Sequence, residues 1–316
     1  MVQEGIFCLQ VLHRNISGRL ALYLLQNSNG LNFANLSAYK VSELLFNNCG
    51  ATLNNFKVDH MQYIISFFLL IAFCSSDHNS QDRNKTLLAI FPHPDDESAV
   101  AEVLIKYADL GYNVQLIIAT DGKDRTRVTK IPPGDSLGTL RKDETRCACK
   151  IMGITEPIFL GIDRLDTRIG TGKFFGEYKK FLLKLKDEIV RIDPDFILTF
   201  GPDGDTHHSE HTVCGAAVTE LLLAEGWVEK YPLYYVAWTK EQGEQFDLGY
   251  VNEKYFNVKI NYTQEQENKA LEIMPCYVTQ YLPAELAEDR KKKLEDKSNT
   301  IHFRQLAVKK GLTDRF

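Results

Sequence analysis

The stretch LLAIFPHPDDESAV, residues 87–100, places a histidine and three carboxylates directly after a short apolar run. Residues 86–91 are apolar, which is typical of a strand covered on both faces of a sheet. Pro94 suits the first position of a helix, and the acids Asp95–Glu97 would then lie in its first turn, where the helix dipole favours negative charge. Capping a helix needs one or two acids and gives no role to His93. The pattern therefore favours a metal site over a simple helix cap.

Strand-like and helix-like segments alternate along the chain from residue 86 onward. Strands are predicted at 86–92, 113–120, 156–160, 195–200 and 232–238, and helices at 95–110, 137–152, 173–191 and 209–225. This rhythm predicts an α/β fold, a Rossmann-like three-layer sandwich with a mostly parallel sheet between helices. In such sheets ligands bind beyond the carboxyl ends of the strands, where His93 lies. Near the C-terminus, the sequence predicts a strand leading into a helix, then a charged helix and a tail.

The residues before this alternating region differ in character. Residues 1–60 are expected to form a poorly structured or non-native extension, and Met61 is an alternative translation start. Residues 61–85 resemble a bacterial lipoprotein signal with a polar linker, because an apolar run too short to span a bilayer ends at Cys74. A lipid anchor at Cys74 predicts an exported or lipid-anchored protein of the bacterial cell envelope. The alternative is a buried helix over 63–74 in a cytoplasmic protein.

Composition limits the remaining classes of function. The chain is 44% hydrophobic with a net charge of −5, which argues against a nucleic-acid partner because such proteins present a basic face. The basic run at 290–293 lies among acids and predicts a solvated helix face. Seven cysteines form no CxxC pair, and Cys147 and Cys149 point away from each other on a predicted helix. Neither a disulfide framework nor a cysteine–zinc site is expected.

A second polar cluster, GPDGDTHHSEH at residues 201–211, follows the predicted strand 195–200. Asp205 or Thr206 is expected to cap the next helix, and either His207 or His208 shares a helical face with His211. Zinc in catalytic sites takes three protein ligands and leaves one position for water. The residues His93, Asp96 and His211 make such a set, with Asp95 as a general base and His208 as a donor to a developing oxyanion. Spacing alone leaves open which histidine has which role, and iron or another divalent metal suits the same ligands.

The two clusters together resemble the PIG-L and LmbE-like family of zinc-dependent N-acetylglucosaminyl deacetylases. HPDDE matches the first family motif, and HSEH, His208 to His211, stands where His-Pro-Asp-His is usual. The resemblance implies an LmbE-like deacetylase domain over 86–316 that removes acetyl from an N-acetylated sugar or glycoconjugate. It implies that zinc is held by His93, Asp96 and His211, that Asp95 activates water and that His208 stabilises the oxyanion. Glu210 replaces the usual Asp and is expected to orient an imidazole.

Further segments of the resemblance concern the substrate. In LRKDETRCACKIMG, residues 140–153, Arg141 matches the arginine that reaches the substrate in relatives, although Arg141 and Glu144 also suit an ordinary surface ion pair. Either Asp163 or Asp166 matches the aspartate that contacts sugar hydroxyls in relatives, and the sequence does not decide between them. Residues 120–124 match a glycine turn that lines the pocket. Residues 277–280 read YVTQ where the family has His-x-Ser-Gln, so that histidine is missing.

Other functions fit the sequence less well. A zinc hydrolase of another amide or of an ester would use the same residues. A lipid-anchored carbohydrate-binding protein with a degenerate site would have no need of a base beside its metal ligands. A dinucleotide-binding protein would carry GxGxxG after the first strand, and a serine hydrolase would carry GxSxG; the sequence has neither. The oligomeric state cannot be read from the sequence.

Overall fold

The computed structural model describes residues 84–315, which contain one seven-stranded sheet. In chain order the strands are β1 Thr86–Phe91, β2 Asn113–Thr120, β3 Ile158–Ile162, β4 Phe196–Thr199, β5 Leu233–Ala237, β6 Val258–Asn261 and β7 Thr300–Gln305. Their order across the sheet is β3-β2-β1-β4-β5-β7-β6. Strands β1 to β5 are mutually parallel, while β7 is antiparallel to both β5 and β6. The predicted mostly parallel sheet and the α/β class are confirmed.

Seven α-helices connect or flank these strands in the described residues. They are α1 Ala101–Asp109, α2 Asp135–Met152, α3 Thr171–Ile192, α4 Ser209–Ala224, α5 Lys240–Phe246, α6 Gln264–Leu271 and α7 Pro283–Glu295. Strand β6 leads into α6, and α7 is a charged helix, as the sequence predicted. Glycine at position 153 ends α2 with φ 77°, a left-handed conformation that glycine adopts without steric cost.

Strand β1 lies in the middle of the fold and is buried along its whole length. Its side chains alternate between two apolar layers: Leu87, Ala89 and Phe91 pack into one, and Leu88 and Ile90 into the other. This is why the strand reads as a continuous apolar run rather than an alternating one. Each such side chain contributes about 1.5–3 kcal/mol when it is fully buried. The carboxyl end of β1 is thereby fixed from both faces, and His93 follows it directly.

The start of the first helix differs from the prediction. Pro94 does not begin a helix; instead Asp95 adopts φ 100° and ψ −24°, and a 3-10 helix runs from Asp96 to Val100 before α1. The Asp95 side chain makes no capping hydrogen bond to this helix. Helix capping therefore does not explain the acids, and the chain holds Asp95 in a backbone conformation that is rare for a residue other than glycine.

Two C-terminal features were not predicted. The expected tail contains β7, which inserts between β5 and β6 and pairs with both. Its sequence, TIHFRQ, contains only two buried apolar side chains, Ile301 and Phe303, which is too short an alternation to indicate a strand. A disulfide joins Cys147 to Cys276, 129 residues apart, so the expectation that the cysteines stay unpaired was wrong. The spacing argument compared neighbours in sequence, whereas the true partner lies on a distant segment.

Several predictions fall outside the described residues. They are the N-terminal extension 1–60, most of the lipoprotein-like segment 61–85 and the lipid anchor at Cys74, all of which stay predictions. Within residues 84–315, no helix combines the length and the apolar character needed to cross a bilayer.

Candidate active site

The two predicted clusters meet at the carboxyl edge of the sheet. His93 follows β1, and His208 and His211 lie at the start of α4, which follows the neighbouring strand β4. The ring centroids of His93 and His211 are 5.3 Å apart, and that of His208 lies 4.9 Å from His93 and 5.0 Å from His211. Rings more than about 8 Å apart could not share one ion with bonds of about 2 Å. The three imidazoles are close enough to bind a single metal.

Asp96 lies between two of these imidazoles. Its Oδ2 is 3.2 Å from His93 Nδ1, and its Oδ1 is 3.1 Å from His211 Nε2. One nitrogen of each ring therefore points toward the same carboxylate. A nitrogen–nitrogen–oxygen set of this kind suits Zn²⁺ and Fe²⁺.

The opposite nitrogens of the same two rings face other carboxylates. Glu210 Oε2 is 3.0 Å from His93 Nε2, and Asp205 Oδ1 is 2.5 Å from His211 Nδ1. Metal-binding histidines usually donate their second N–H to a carboxylate or carbonyl, which fixes the tautomer and leaves the other nitrogen free for the metal. The chemistry of the site therefore fits a divalent cation, which His93 Nδ1, His211 Nε2 and the Asp96 carboxylate would hold.

Asp205 was assigned the wrong role from sequence. It does not cap α4; the capping residue is His208, whose Nδ1 accepts a hydrogen bond of 3.3 Å from the Glu210 backbone N–H. His207 has φ 56° and is exposed, so His208 rather than His207 joins His211. A carboxylate before a helix normally indicates a cap. In the structure, the Asp205 carboxylate instead contacts the imidazole of His211, six residues later.

The carboxylates and imidazoles of this cluster shift one another's pKa values. Burial acts to raise the pKa of Asp96, but His211 and His93 outweigh it and hold that pKa well below its usual range. Burial acts to lower the pKa of His211, but Asp96 and Asp205 raise it to about 10. The carboxylates thus favour a positive charge at this position, and a bound cation supplies the same compensation.

Asp95 lies beside this cluster and is held by contacts with Arg141. The Arg141 guanidinium donates to the Pro94 carbonyl at 2.7 Å and contacts Asp95 Oδ1 at 3.3 Å. Arg141 also donates to the carbonyl of Gly122, where a Cβ would fall 1.8 Å from the guanidinium, so the predicted glycine turn leaves room for the arginine. Burial raises the pKa of the Asp95 carboxyl, and the charge of Arg141 opposes part of that shift. Arg141 is itself almost fully buried at 1% exposure.

The unusual backbone of Asp95 is held by a buried pair that sequence reasoning missed. Glu97 Oε2 accepts a hydrogen bond of 3.0 Å from the Asp95 N–H, and Glu97 Oε1 accepts one of 2.9 Å from the Tyr277 hydroxyl. Burial raises the pKa of Glu97 to about 8. Tyr277, the first residue of the YVTQ segment, is fully buried. Its hydrogen bond therefore joins this late segment to the HPDDE motif.

His208 differs electrostatically from the other two histidines. Burial, followed by the charges of His93 and His211, lowers its pKa to about 4, so the ring is neutral at pH 7. Its Nδ1 accepts from a backbone N–H, which places the single ring proton on Nε2. His208 therefore presents one N–H donor on its far side.

Of the other predicted residues, Glu144 and the two loop aspartates have clear partners. Glu144 accepts hydrogen bonds of 2.8 Å from both the N–H and the hydroxyl of Thr279, so the surface ion pair with Arg141 was wrong. Asp163 contacts Lys123 at 3.2 Å and also Lys173. Asp166 is buried and pairs with Arg164 at 3.0 Å and with Arg168, and Arg164 also lies 3.6 Å from Glu210, the partner of His93.

Two cavities flank the cluster. The first, here called the cationic cavity, has a volume of about 440 Å³ and contains His93, His208, Arg141 and Asp163 in its wall. The second, here called the aromatic cavity, has a volume of about 370 Å³ and is bordered by Asp95, Asp96 and His211. Its aromatic side chains are Phe200, Trp238, Phe246, Tyr262 and Tyr281. The histidines and the two adjacent aspartates thus lie between the cationic cavity and the aromatic cavity.

Comparison with known proteins places this geometry in a family. Residues 88–222 match the family model described as "PIG-L: GlcNAc-PI de-N-acetylase". Residues 88–222, from β1 into α4, thus belong to the PIG-L family. This region contains both motifs, from His93 to His211, whereas Tyr277 and much of the aromatic cavity lie beyond the matched PIG-L region.

Relatives of this PIG-L domain include named deacetylases. A Bacillus anthracis protein named "Probable N-acetyl-alpha-D-glucosaminyl L-malate deacetylase 2" is 26% identical over 214 residues, 66% of this chain and 87% of the relative. The N,N'-diacetylchitobiose deacetylase of Pyrococcus horikoshii has the same fold, with a TM-score of 0.52 at 16% identity over 81% of this chain and 95% of that one. The 4-carboxy-2-hydroxymuconate hydratase of Pseudomonas putida KT2440 also shares it, with a TM-score of 0.50 at 16% identity over 72% of this chain and all of that one. The fold alone therefore does not fix the reaction.

Proposed function

We propose that the chain is a metal-dependent N-deacetylase that hydrolyses the acetamide of an N-acetylated sugar of the N-acetylglucosamine type. The observation that carries the proposal is the position of Asp96 between His93 Nδ1 and His211 Nε2, with a carboxylate on the outer nitrogen of each ring. The name of the Bacillus anthracis relative supports the reaction class.

Zinc, or another divalent ion such as Fe²⁺, held by His93, Asp96 and His211 would lower the pKa of a bound water and polarise the acetamide carbonyl. Asp95 takes the proton from the attacking water and later gives it to the departing amine, so water and the acetamide become acetate and an amino sugar. A raised pKa suits this role because the same carboxyl must both accept and release a proton. Arg141 and Glu97 hold Asp95 in place.

The neutral His208 supplies the complementary donor. Its Nε2–H is directed away from the Glu210 backbone and is available to the oxygen on which charge develops as the tetrahedral intermediate forms. Arg141 and Asp163 line the cationic cavity next to His93 and His208, which supports a sugar bound on that side. Asp166 acts on the substrate only indirectly, by fixing Arg164 and Arg168.

The first test combines metal analysis with acetate release. Purified protein should contain about one equivalent of divalent metal and should release acetate from a panel of N-acetylglucosamine derivatives. Asp95→Asn should keep the metal, while kcat falls by about 10²–10⁴-fold because the general base is lost. Asp187→Asn, on the exposed face of α3, is the matched control and should behave as wild type. Folded, metal-loaded protein that releases no acetate from any of these compounds would refute the proposal.

A further inference from the structure

The cationic cavity has a charge opposite to that of the chain. Its wall contains six basic and three acidic side chains, although the whole protein has a net charge of −5. The aromatic cavity has the reverse balance, with three basic and six acidic side chains. A cleft lined by one sign of charge concentrates ligands of the other sign. A divalent metal at the edge of the cationic cavity would add to its positive potential.

Five of the six basic side chains in this wall have carboxylate partners within the protein. These pairs are Lys123 with Asp163, Arg127 with Glu285, Arg141 with Asp95, and Arg164 and Arg168 with Asp166. The sixth is Arg125, whose side chain makes no hydrogen bond or ion pair with any residue of 84–315 and is exposed. An arginine stays charged at all ordinary pH values and offers a planar fork of donors that matches a carboxylate or a phosphate.

Arg125 also has a distinctive position. It lines both the cationic and the aromatic cavity, and it is the one residue common to the two walls in the described part of the chain. Its charge reaches Asp95, whose pKa it helps to lower against the dominant effect of burial. The backbone of its loop is fixed, because the Arg125 N–H donates to the Gly122 carbonyl at 3.1 Å. The side chain therefore lies where the cationic and aromatic cavities meet, next to the proposed base Asp95.

We propose that the site selects N-acetylated sugars that carry an anionic group, a carboxylate or a phosphate, and that Arg125 binds this group. The inference rests on the proposed deacetylase function for the identity of the sugar. The anion itself is inferred from the unpaired arginine and from the excess of basic side chains around it. Lys123 and Arg168 are partly neutralised by Asp163 and Asp166. These two side chains add to the positive potential of the cationic cavity and do not bind the anion directly.

Binding and turnover test the two parts separately. The binding arm uses amino sugars that need no hydrolysis: methyl α-glucosaminide as the neutral ligand, glucosamine 1-phosphate, and the carboxymethyl glycoside of glucosamine, each titrated calorimetrically into the full chain with its metal. At least one anionic ligand should bind the wild type about tenfold more tightly than the neutral one, as one charge-assisted hydrogen bond allows. The phosphate and carboxylate arms show which anion is preferred. Added salt should weaken that preference.

The variants Arg125→Gln and Lys130→Gln form a matched pair on one loop. Lys130 is exposed and lines neither cavity. Arg125→Gln should reduce the ratio of anionic to neutral affinity by about tenfold, whereas Lys130→Gln should leave it unchanged. The ratio of kcat/KM for the three corresponding N-acetylated compounds should change in the same way.

Two results would overturn the inference: equal affinity of the wild type for the neutral and both anionic ligands, or an unchanged ratio in Arg125→Gln. Failure of the deacetylase proposal would look different. In that case none of the N-acetylated compounds would release acetate, while the calorimetric preference for an anion and its loss in Arg125→Gln would persist.

Discussion

The part of the chain that matches the family and the part that follows it contribute different things to the site. Residues 88–222 supply the groups expected to react, His93, Asp96 and His211 among them. Residues beyond 222 supply most of the aromatic wall and the buried hydroxyls that hold the first part in place. The groups proposed to bind the metal and to react with water thus lie in two short motifs, whereas hydrogen bonds from a later segment with little motif character help to place them.

Two contacts join these parts. Tyr277 binds Glu97, which in turn holds the backbone of Asp95, and Thr279 binds Glu144 on the helix that carries Arg141. The first contact therefore ends on a residue that binds the proposed base, and the second ends on the helix whose Arg141 contacts that base. A left-handed backbone at a residue other than glycine costs free energy, so it persists only where neighbouring groups hold it. We therefore expect the later part of the chain to affect turnover through Asp95 rather than through the proposed metal ligands.

The largest effect is expected from the metal ligands in the family-matched part. Asp96→Asn removes the negative charge shared by His93 and His211, so metal content should fall and kcat/KM should drop by more than the ~10–100-fold typical of losing a ligand's hydrogen-bond partner. His208→Gln should keep the metal and lose about 10²–10³-fold in kcat, as removal of an oxyanion donor does. Metal analysis and steady-state kinetics measure both.

The outcome of that pair distinguishes two ligand sets. His93, His208 and His211 also lie close enough to form a three-histidine site. If His208→Gln lost the metal and Asp96→Asn kept it, the three-histidine set would be correct, and Asp96 would serve only to orient the rings.

A smaller effect is expected at the contact between the two parts. Tyr277→Phe keeps the buried ring but leaves Glu97 Oε1 without its hydroxyl donor, which should lower the free energy of unfolding by ~1–3 kcal/mol. Looser placement of Asp95 should lower kcat by about tenfold, equivalent to ~1.4 kcal/mol, with KM and metal content unchanged. Tyr250→Phe, at an exposed position, is the matched control. A wild-type kcat in Tyr277→Phe would mean that the hydrogen bond has no role in positioning the base.

The sequence predicted that His93 and His211 converge because the signals for their positions are local. His93 and His211 each follow a strand of the parallel sheet, and parallel strands bring their carboxyl ends to one edge. The α/β class followed from the same alternation of strands and helices. Short motifs on adjacent parallel strands are thus the easiest part of a site to find.

The supporting residues were missed because their partners are distant in sequence or depend on unusual backbone angles. Asp205 reads as a helix cap until the positive φ of His207 is known. Tyr277 reads as the loss of a histidine until its contact with Glu97, 180 residues earlier, is seen. Strand β7 has too few buried apolar positions to be distinguished from a charged tail. In each case the decisive information is a three-dimensional contact that no local pattern encodes.

The smallest effect on turnover is expected at the disulfide, which ties the two parts together outside the site. Cys147 lies on α2 and Cys276 precedes Tyr277, so the bond holds the Tyr277 segment against the helix that carries Arg141. The double variant Cys147→Ser/Cys276→Ser should lose ~2–5 kcal/mol of stability, because the cross-link no longer restricts the unfolded chain. Its kcat should fall less than that of Tyr277→Phe, since the hydrogen bonds to Glu97 and Glu144 remain. A reductant should lower the Tm of the wild type and leave that of the double variant unchanged, and a wild-type Tm that did not respond would show that the bond adds no stability.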